Sequence, residues 1–483
     1  MSNGSSCPHW AVSCIPFVFL VALLVLVITY FGSDALEGAS QVALLLAASL
    51  AIAIGMLVYK QPWKVFEEAI EKNFASVSSS IIILLLIGAV SGSWMISGVV
   101  PTLVCYGLEI ISPRIFLFAA CLISALVSLV TGSSWTTIAT VGVALMAIGT
   151  AMGYSLGWTA GAIISGAYFG DKVSPLSDTT VLAASSSGTD IFEHIRFMMR
   201  TTVPSICVAL VVFLVVSLTS EPSSAALSAQ YSAALHGKFN ISPLLLIVPV
   251  LTFVLIIKKI PAILTLLISA LAAGLAAIIA QPDILAEIGG ESLGSGFASC
   301  YKGLMSTWFT STSVDTGVDM VNALCATRGM RGMLNTIFLI ICAVTFGAAM
   351  TGGGMFQGIT AALTSRISRR FPTVGATVGT GLVANVISAD QYLSIILTAG
   401  LYKELYKKNG LDNKLLSRSV EDSVTVTSVL VPWNSCGMTQ ATVLGVSTLT
   451  YLPYCIFNLI SPLMSLLFAA IGAHIKFNRH KSR

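Results

Sequence analysis

Apolar runs long enough to cross a bilayer fill most of this sequence. A membrane-spanning helix needs about 20 mostly apolar residues. A chain of 483 residues that is 55% hydrophobic and only 10% charged carries more apolar surface than a soluble core can bury. The runs predict spans at residues 11–31, 39–59, 77–98, 114–132, 135–153, 202–219, 242–257, 261–280, 333–352, 373–390, 391–403 and 448–472. We therefore expect an all-α polytopic membrane protein.

The charged residues indicate how the chain is oriented. A net charge of +4 is too small to indicate a nucleic-acid partner. Most basic residues fall in connections that one topology places on a single side: Lys60, Lys64, Lys72, Arg196, Arg200, Lys258, Lys259, Arg366, Arg369, Arg370, Lys403, Lys407, Lys408, Lys414, Arg418 and the tail 476–483. The exceptions are Arg114, Lys238, Lys302, Arg328 and Arg331. The positive-inside rule makes the first side the cytoplasm and predicts that both termini lie there. The first apolar run exceeds a signal-peptide core and lacks a basic segment before it, so we interpret it as a retained helix.

Two polar stretches interrupt the apolar background. Asp178–Gly188 and Thr427–Gly437 each contain eleven residues and end on glycine. Acidic residues precede each stretch: Asp171 in the first case, and Glu421 and Asp422 in the second. An uncompensated carboxylate at the bilayer centre costs at least ~3 kcal/mol, so intramembrane acids usually serve ions, protons or substrates. The pair therefore predicts a binding site.

A further similarity between distant segments indicates a duplicated architecture. Thr131–Trp135 and Ser388–Tyr392 occupy the same point of two spans, each after a glycine-rich turn. With the charge-derived topology, the units that contain them begin from opposite sides of the membrane. This predicts two inverted-topology repeats of about five spans each, with broken helices that place substrate and ion sites near the midplane.

The remaining segments are arranged around these repeats. Residues 1–76 hold two spans and an amphipathic helix, Trp63–Phe74, that we expect to lie in the membrane interface. The other expected divisions are 77–219 for the first repeat, 220–332 for linking spans and an external loop, 333–475 for the second repeat and 476–483 for a basic cytoplasmic tail. The mixed segment 281–332 has two interpretations, a solvated loop or an external re-entrant segment whose Asp315 and Asp319 line an entrance.

The first polar stretch carries the chemistry of a hard cation site. Gly170 and Pro175 are expected to break the helix and free backbone carbonyls toward a cavity. Those carbonyls would join the hydroxyls of Ser174 and Thr179 and the carboxylates of Asp171 and Asp178 as candidate ligands. Oxygen ligands of this kind suit Na⁺ better than a soft metal. The alternative is a surface turn in which Asp178 merely caps the next helix.

The second unit offers a less regular set of candidates. Asp390 has apolar sequence on both sides, Asn385 precedes it, and Asn434 follows a break at Pro432. Arg418 beside Glu421 and Asp422 has the alternative interpretation of a surface ion-pair cluster. We predict cation or proton binding at Asp171, Ser174, Asp178, Thr179, Asn385, Asp390, Glu421, Asp422 and Asn434, with Na⁺ held by Asp178 and Asp390. Helix breaks are expected at Gly170, Pro175, Gly188, Pro432 and Gly437.

Buried carboxylates provide a mechanism for exchange. Desolvation disfavours the charged form, so a buried carboxylate takes up a proton more readily than an exposed one. If the same carboxylate also binds Na⁺, the two cations compete for it. Alternating access to the two sides of the membrane then converts the competition into exchange.

Three segments resemble one known family. Gly170–Thr180, Leu416–Asp422 and Pro432–Asn434 are similar to the motifs of the NhaC family of sodium/proton antiporters, and the resemblance covers roughly residues 10–475. It implies a bacterial inner-membrane antiporter that exchanges Na⁺ and H⁺ without a cofactor; some members resemble malate/lactate exchangers. The motif positions are Asp171, Lys172, Ser174, Pro175, Ser177, Asp178, Thr179, Thr180, Arg418, Glu421, Asp422, Pro432, Trp433 and Asn434.

Other functions remain as alternatives. A Na⁺-coupled organic-acid exchanger of the malate or lactate type needs a cation to receive the carboxylate, and the candidates are Lys172, Arg418 or helix N-termini. A membrane-embedded enzyme is disfavoured, since the sequence has no His-containing zinc motif and no phosphate-binding P-loop. Broken helices in inverted halves favour alternating access over a channel. Glycines at 149, 153, 157 and 161 pack helices equally well within or between protomers, which leaves a homodimer open.

Overall fold

The computed structural model describes residues 8–31, 38–220, 225–290, 296–364 and 370–471. Across these residues the backbone is almost entirely helical, and the sole strand-like pairing is an isolated bridge between Thr312 and Thr327. The all-α class predicted from the apolar runs is therefore confirmed. The predicted basic tail, 476–483, lies outside the described residues.

Twenty-four α-helices occur in the described part of the chain. The N-terminal part contains α1 (Trp10–Phe31), α2 (Ala39–Leu57) and α3 (Trp63–Ile96). The first unit continues with α4 (Val99–Ile110), α5 (Phe116–Thr131), α6 (Ser134–Thr137), α7 (Val143–Ala151), α8 (Leu156–Val173), α9 (Asp178–Ser187) and α10 (Ile191–Thr219). The linking part contains α11 (Ala225–Lys238), α12 (Ile247–Ile257), α13 (Ala262–Ala280), α14 (Pro282–Gly289), α15 (Phe297–Phe309) and α16 (Asp319–Cys325). The second unit contains α17 (Leu334–Gly352), α18 (Met355–Thr364), α19 (Arg370–Ser388), α20 (Gln391–Lys408), α21 (Asn413–Val420), α22 (Ser435–Leu444), α23 (Thr448–Tyr451) and α24 (Ile456–Ile471).

Short irregular turns connect several of these helices. Turns of 3₁₀-helix lie at Pro113–Ile115, Pro243–Leu246, Met330–Met333, Ser428–Leu430 and Leu452–Tyr454. Single π-helical turns lie at Ile138–Gly142 and Glu421–Thr425. Such π-turns are rare and occur frequently at functional sites.

Nine of the described helices are long and apolar enough to cross a membrane, and two bent pairs raise the number to eleven. The bent pairs join 229–238 to 243–257 and 448–454 to 456–471. These helices match the predicted runs, with the exception of 391–403. That run lies in α20, whose second half carries Lys403, Lys407 and Lys408 and is therefore less apolar than a span.

The predicted interfacial helix is not a separate element. Trp63–Phe74 forms the first part of α3, which continues without a break for 34 residues. No glycine or proline lies between Phe74 and Val77 to end it. Phe66 is fully buried, and its ring packs where a side chain at Gly55 of α2 would otherwise lie. The N-terminal end of α3 is thus held against protein.

The segment 281–332 is helical over much of the part that the structure describes, so it is not an irregular loop. It forms α14, α15 and α16, and its backbone lies directly against α3. A Cβ atom at Gly88 would come within 2.5 Å of the Gly329 carbonyl oxygen. Asp315 accepts hydrogen bonds from the Gly317 N–H at 2.9 Å and the Asn322 amide at 2.8 Å. These donors hold the pKa of the exposed Asp315 carboxyl below its ordinary value.

Two predicted helix breaks are instead packing glycines. Gly170 lies inside α8, where a side chain would overlap the Ala125 carbonyl oxygen of α5. Gly437 lies inside α22, where a side chain would overlap the Val431 carbonyl oxygen. Both residues are needed because backbones approach closely there. The sequence does not distinguish a packing glycine from a helix-breaking one by composition alone.

The other three predicted break positions lie in turns or at a helix end. Pro175 lies in the turn between α8 and α9, and Pro432 lies in the turn before α22. Gly188 ends α9 with φ of 76°, a left-handed conformation that glycine adopts without strain.

The same succession of elements occurs in both units. After α5, Gly132 is left-handed (φ 67°) and Ser133 caps α6; after α19, Ala389 is left-handed (φ 55°) and Asp390 caps α20. This agrees with the similarity between Thr131–Trp135 and Ser388–Tyr392. A helix of ten residues then occurs in each unit, α9 capped by Ser177 and α22 capped by Asn434.

The ten-residue helices correct the alignment of the two polar stretches. α9 ends at the left-handed Gly188, and α22 ends at the left-handed Gly445. The structural counterpart of Asp178–Gly188 is therefore Ser435–Gly445 rather than Thr427–Gly437. Residues Ser428–Leu430 belong to a 3₁₀ turn before the break, which the sequence pattern does not reveal.

The regularly spaced glycines do not form a single ridge. Gly153 is left-handed (φ 78°) in the turn between α7 and α8. Gly157 and Gly161 of α8 both pack against Tyr454 of the same chain. These two positions are therefore used for packing within the protomer.

Candidate functional site

In each unit, a left-handed break lies against the start of the ten-residue helix. In the first unit, a Cβ atom at Gly132 would come within 2.7 Å of Leu176, in the turn before α9. In the second unit, the backbone N–H of Ser435, at the start of α22, donates to the Ala389 carbonyl at 2.8 Å. We name these two places the first crossing (132–134 with 174–178) and the second crossing (389–391 with 431–435).

Each crossing holds a buried aspartate bonded to a serine. Ser134 donates to Asp171 Oδ2 at 2.7 Å, and Ser435 donates to Asp390 Oδ2 at 3.3 Å. Asp171 is 6% exposed and Asp390 is 3% exposed. Asp390 also accepts from the Leu393 N–H at 2.9 Å, so part of its carboxylate serves as the cap of α20.

A cavity of about 740 Å³ opens at the first crossing. Its polar lining includes Asp171 from α8, Asp178 and Thr179 from α9, and Gln391 and Tyr392 from α20. Helices α6 and α9 both begin here, and helix N-termini carry partial positive charge and free N–H groups. Asp178 is the exposed first residue of α9, while Thr179 is buried and its hydroxyl lies 2.9 Å from that of Ser177.

The structure brings only some of the predicted residues to this cavity. Asp171, Asp178 and Thr179 are among its lining residues, whereas Asp390 is not. Ser174 is buried at the end of α8 and accepts from the Leu176 N–H at 3.3 Å, so its hydroxyl stabilises the turn. The predicted Na⁺ ligands Asp178 and Asp390 thus belong to different crossings.

A buried ion pair joins the two units beside the first crossing. Lys172 of α8 pairs with Asp422 of the π-turn, and neither side chain is exposed. Ser461 lies 3.0 Å from Lys172 Nζ, and Thr201 donates to Asp422 Oδ2 at 2.9 Å. Arg418 Nε lies 3.8 Å from Asp422 Oδ2.

Burial of Arg418, Glu421 and Asp422 excludes the interpretation of these residues as a surface cluster. Arg418, Glu421 and Asp422 are each 0% exposed, so they are not a surface ion-pair cluster. The Arg418 guanidinium packs 5.1 Å from the Phe197 ring centroid. Such a cation–π contact offsets part of the cost of burying the guanidinium.

Glu421 differs from Asp171, Asp390 and Asp422 because its carboxylate accepts no hydrogen bond from the described residues. It is fully buried, and neither carboxylate oxygen has a hydrogen-bond partner among the residues that the structure describes. Lys172, Asp171 and Asp422 are all close enough to interact with it electrostatically. A buried charge without a hydrogen-bond partner is costly, so an ionised Glu421 carboxylate would lack direct compensation from the described residues.

Three side-chain amides hold the interrupted helix of the second unit. Asn385 donates to the Val424 carbonyl at 2.7 Å, Gln391 to the Thr425 carbonyl at 3.3 Å and Asn458 to the Val426 carbonyl at 2.7 Å. Asn434 caps α22 and donates to the Asn385 carbonyl at 3.0 Å. Asn385 and Asn434 therefore stabilise the break, although Asn385 Oδ1 has no hydrogen-bond partner in the described part.

Several residues of the site were not predicted from the sequence. Ser134 and Gln391 lie within the similar segments Thr131–Trp135 and Ser388–Tyr392, so that similarity was the available signal. Thr201, Asn458 and Ser461 lie in ordinary apolar spans. Their role depends on which helices become neighbours, which no local pattern encodes.

Comparisons with known proteins match one family over most of the chain. The Na⁺/H⁺ antiporter family model matches residues 6–185 and 166–473. The Na⁺/H⁺ antiporter NhaC of Alkalihalophilus pseudofirmus is 36% identical over 414 residues, which are 85% of this chain and 86% of that protein. The malate-2H⁺/Na⁺-lactate antiporter of Bacillus subtilis is 33% identical over 467 residues, 96% of this chain and 95% of that protein.

One solved structure aligns with most of the chain at a low TM-score. MtrF of Neisseria gonorrhoeae, described as one of a class of antimetabolite efflux pumps, matches with a TM-score of 0.36 and 14% identity over 96% of each chain. The family model and the curated relatives cover most of the sequence, and the apolar helices make the protein a multi-pass membrane protein. The chain therefore belongs to the Na⁺/H⁺ antiporter family, as a relative of the NhaC antiporters.

Proposed function

We propose that this protein exchanges Na⁺ for H⁺ by alternating access, with the two cations competing for buried carboxylates. The observation that carries the proposal is Asp171, a nearly fully buried acid that lines the cavity at the first crossing. A Na⁺ ion entering the cavity first meets the exposed Asp178 and then the hydroxyls of Ser134, Ser177 and Thr179 around Asp171. Hard oxygen ligands of this kind replace the water that the ion gives up.

Competition follows from the charges buried around the first crossing. Asp171, Glu421 and Asp422 are buried with Lys172 and Arg418, so the acids outnumber the bases by one. A bound Na⁺ or a bound proton would balance the excess negative charge. Because either cation relieves the same cost of burial, binding of one disfavours the other. Asp390, with its separate crossing, is the second candidate for cation binding.

The repeated elements support an inverted architecture. Left-handed breaks, capped helices and ten-residue helices recur in the same order in both units. Together with the positive-inside pattern, they support two oppositely oriented repeats in the bacterial inner membrane with cytoplasmic termini. Labelling of Asn3→Cys and His480→Cys, each in a background in which the ten native cysteines are replaced, with an impermeant reagent tests the orientation, and labelling from the outside of intact cells would contradict it.

A Na⁺-coupled exchanger of malate or lactate is the second candidate, supported by the 33% identical relative that carries that name. The arrangement of charges favours the first candidate. Two of the cations available for an organic carboxylate, Lys172 and Arg418, are already close to Asp422, and the third, Lys259, is exposed at the other side of the cavity. The cavity itself presents Asp171 and Asp178, which repel an anion.

Purified protein in liposomes with an acidic interior and a pH-sensitive dye tests the proposal. Na⁺, Li⁺, K⁺, malate and lactate are added in turn. Dissipation of the gradient by Na⁺ alone supports the cation antiporter, and a requirement for an organic acid together with Na⁺ supports the second candidate. Asp171→Asn is expected to abolish exchange, whereas Asp315→Asn, in an exposed turn, leaves it unchanged. Normal exchange by Asp171→Asn would refute the assigned site.

A further inference from the structure

The cavity at the first crossing is larger than a single metal ion requires. Its volume of about 740 Å³ lies within the range of small-molecule sites, roughly 300–1,000 Å³. A water molecule occupies about 30 Å³ in the liquid, so even a hydrated ion fills a small part of it. The space therefore admits an organic molecule.

The two sides of the cavity differ in chemistry. The side formed by α6, α8, α9 and α20 carries Asp171 and Asp178 together with the rings of Trp135 and Tyr392. The side formed by α3, α12, the turn after it and α13 carries Ile83, Ile256 and Ile260, together with the polar side chains of Ser79, Lys259 and Thr265. An aqueous path for an ion has no need of the three isoleucines.

We propose that this cavity binds an organic cation with a short apolar tail, such as an alkylguanidinium. The positive head would lie between the two carboxylates, and the aromatic rings beside them also favour cations. The tail would bury its hydrocarbon against the isoleucines of α12 and its following turn. The inference rests on the proposed function in one respect: the carboxylates that would bind the organic cation are the ones proposed to attract Na⁺.

The charge of the lining selects against anions and neutral molecules. Lys259 is the one basic residue among the described lining residues, and its side chain is exposed to solvent. Two carboxylates at the other side give the cavity a net negative charge. A guanidinium group matches a carboxylate with two parallel N–H donors, whereas a urea of the same shape lacks the charge.

Isothermal titration of the full-length protein in detergent, and inhibition of Na⁺-driven proton movement in liposomes, test this inference. The probe is n-butylguanidinium, which stays charged and so does not collapse the pH gradient as a free base. Guanidinium supplies the head without the tail, and n-butylurea supplies the shape without the charge. We expect n-butylguanidinium to bind at least about tenfold more tightly than guanidinium, to compete with Na⁺, and n-butylurea to do neither.

Variants of α12 separate the cavity from the ion site. Ile256→Ser is expected to reduce the affinity for n-butylguanidinium toward that for guanidinium while Na⁺ exchange continues. Ile257→Ser is the matched control, because that side chain is 49% exposed on the same helix and does not line the cavity. Equal binding of n-butylurea, equal loss in both variants, or no binding by a protein that still exchanges Na⁺ would overturn the inference. Binding with this pattern in a protein that exchanges no Na⁺ supports the inference and contradicts only the proposed function.

Discussion

Removing either partner of the buried Lys172–Asp422 pair is expected to destabilise the protein by unequal amounts. Lys172→Met leaves Asp422 with Arg418 at 3.8 Å and the Thr201 hydroxyl at 2.9 Å. Asp422→Asn instead removes the one carboxylate that forms an ion pair with both Lys172 and Arg418 among the described residues. Loss of one partner of a buried pair typically costs about 3–5 kcal/mol. We therefore expect the free energy of unfolding to fall by about 3 kcal/mol for Lys172→Met and by about 5 kcal/mol for Asp422→Asn.

The double variant gives the sharper test. Combining Lys172→Met with Asp422→Asn removes one of the two cations that the single Asp422→Asn substitution leaves without an ion-pair partner, so the double variant is expected to be more stable than Asp422→Asn alone. Thermal unfolding in detergent, followed by tryptophan fluorescence, measures the order of stability.

A surface pair provides the matched control. Lys414 and Glu193 lie 2.9 Å apart, but their side chains are 30% and 58% exposed. Solvent screening limits such a pair to at most about 1 kcal/mol, so Lys414→Met should unfold close to the parent temperature. If Lys172→Met is as stable as Lys414→Met, or if the two core substitutions simply add, the pair does not contribute as argued.

Further predictions concern the glycines. Gly170→Ala is expected to weaken the α5–α8 contact and lower the thermal stability. Gly379→Ala should leave the stability unchanged, because a Cβ atom there meets nothing within 4 Å. Equal stability of the two variants would contradict the packing role of Gly170. Gly445→Ala places alanine at φ of 68° and should destabilise the protein by about 1 kcal/mol, whereas Gly400→Ala, in the interior of α20, should stabilise it by about 0.5–1 kcal/mol. Unfolding experiments in which Gly445→Ala stabilises or Gly400→Ala destabilises the protein would refute the argument.

The spans were predictable because each depends on a local property. A run of apolar residues must lie in lipid or protein whatever its neighbours are, so helices such as α2, α5 and α13 follow from the sequence directly. The breaks at Pro175, Gly188 and Pro432 are local for the same reason. Gly170 and Gly437 were misassigned because their role comes from a backbone on another helix.

The site was predicted less completely than the spans. Asp171, Glu421 and Asp422 could be identified because an acid in apolar sequence needs a compensating interaction. Their partners Thr201, Ser461 and Asn458 could not, because a single hydroxyl or amide in a span gives no signal without the three-dimensional arrangement. The separation of Asp178 from Asp390 also depends on packing between helices.

The three amides from α19, α20 and α24 have a mechanical consequence. They donate hydrogen bonds to the carbonyls of three consecutive residues, Val424, Thr425 and Val426. The Lys172–Asp422 pair attaches α8 to the same stretch of backbone. A change of access that pulled these helices apart would leave buried amides, carbonyls and charges without partners. If the proposed alternating access operates, α8, α19, α20 and α24 are therefore expected to move together as one body relative to α12 and α13 across the cavity. Spin-label distances between α8 and α24 should stay constant during turnover while distances from either to α13 change, and the reverse result would exclude this motion.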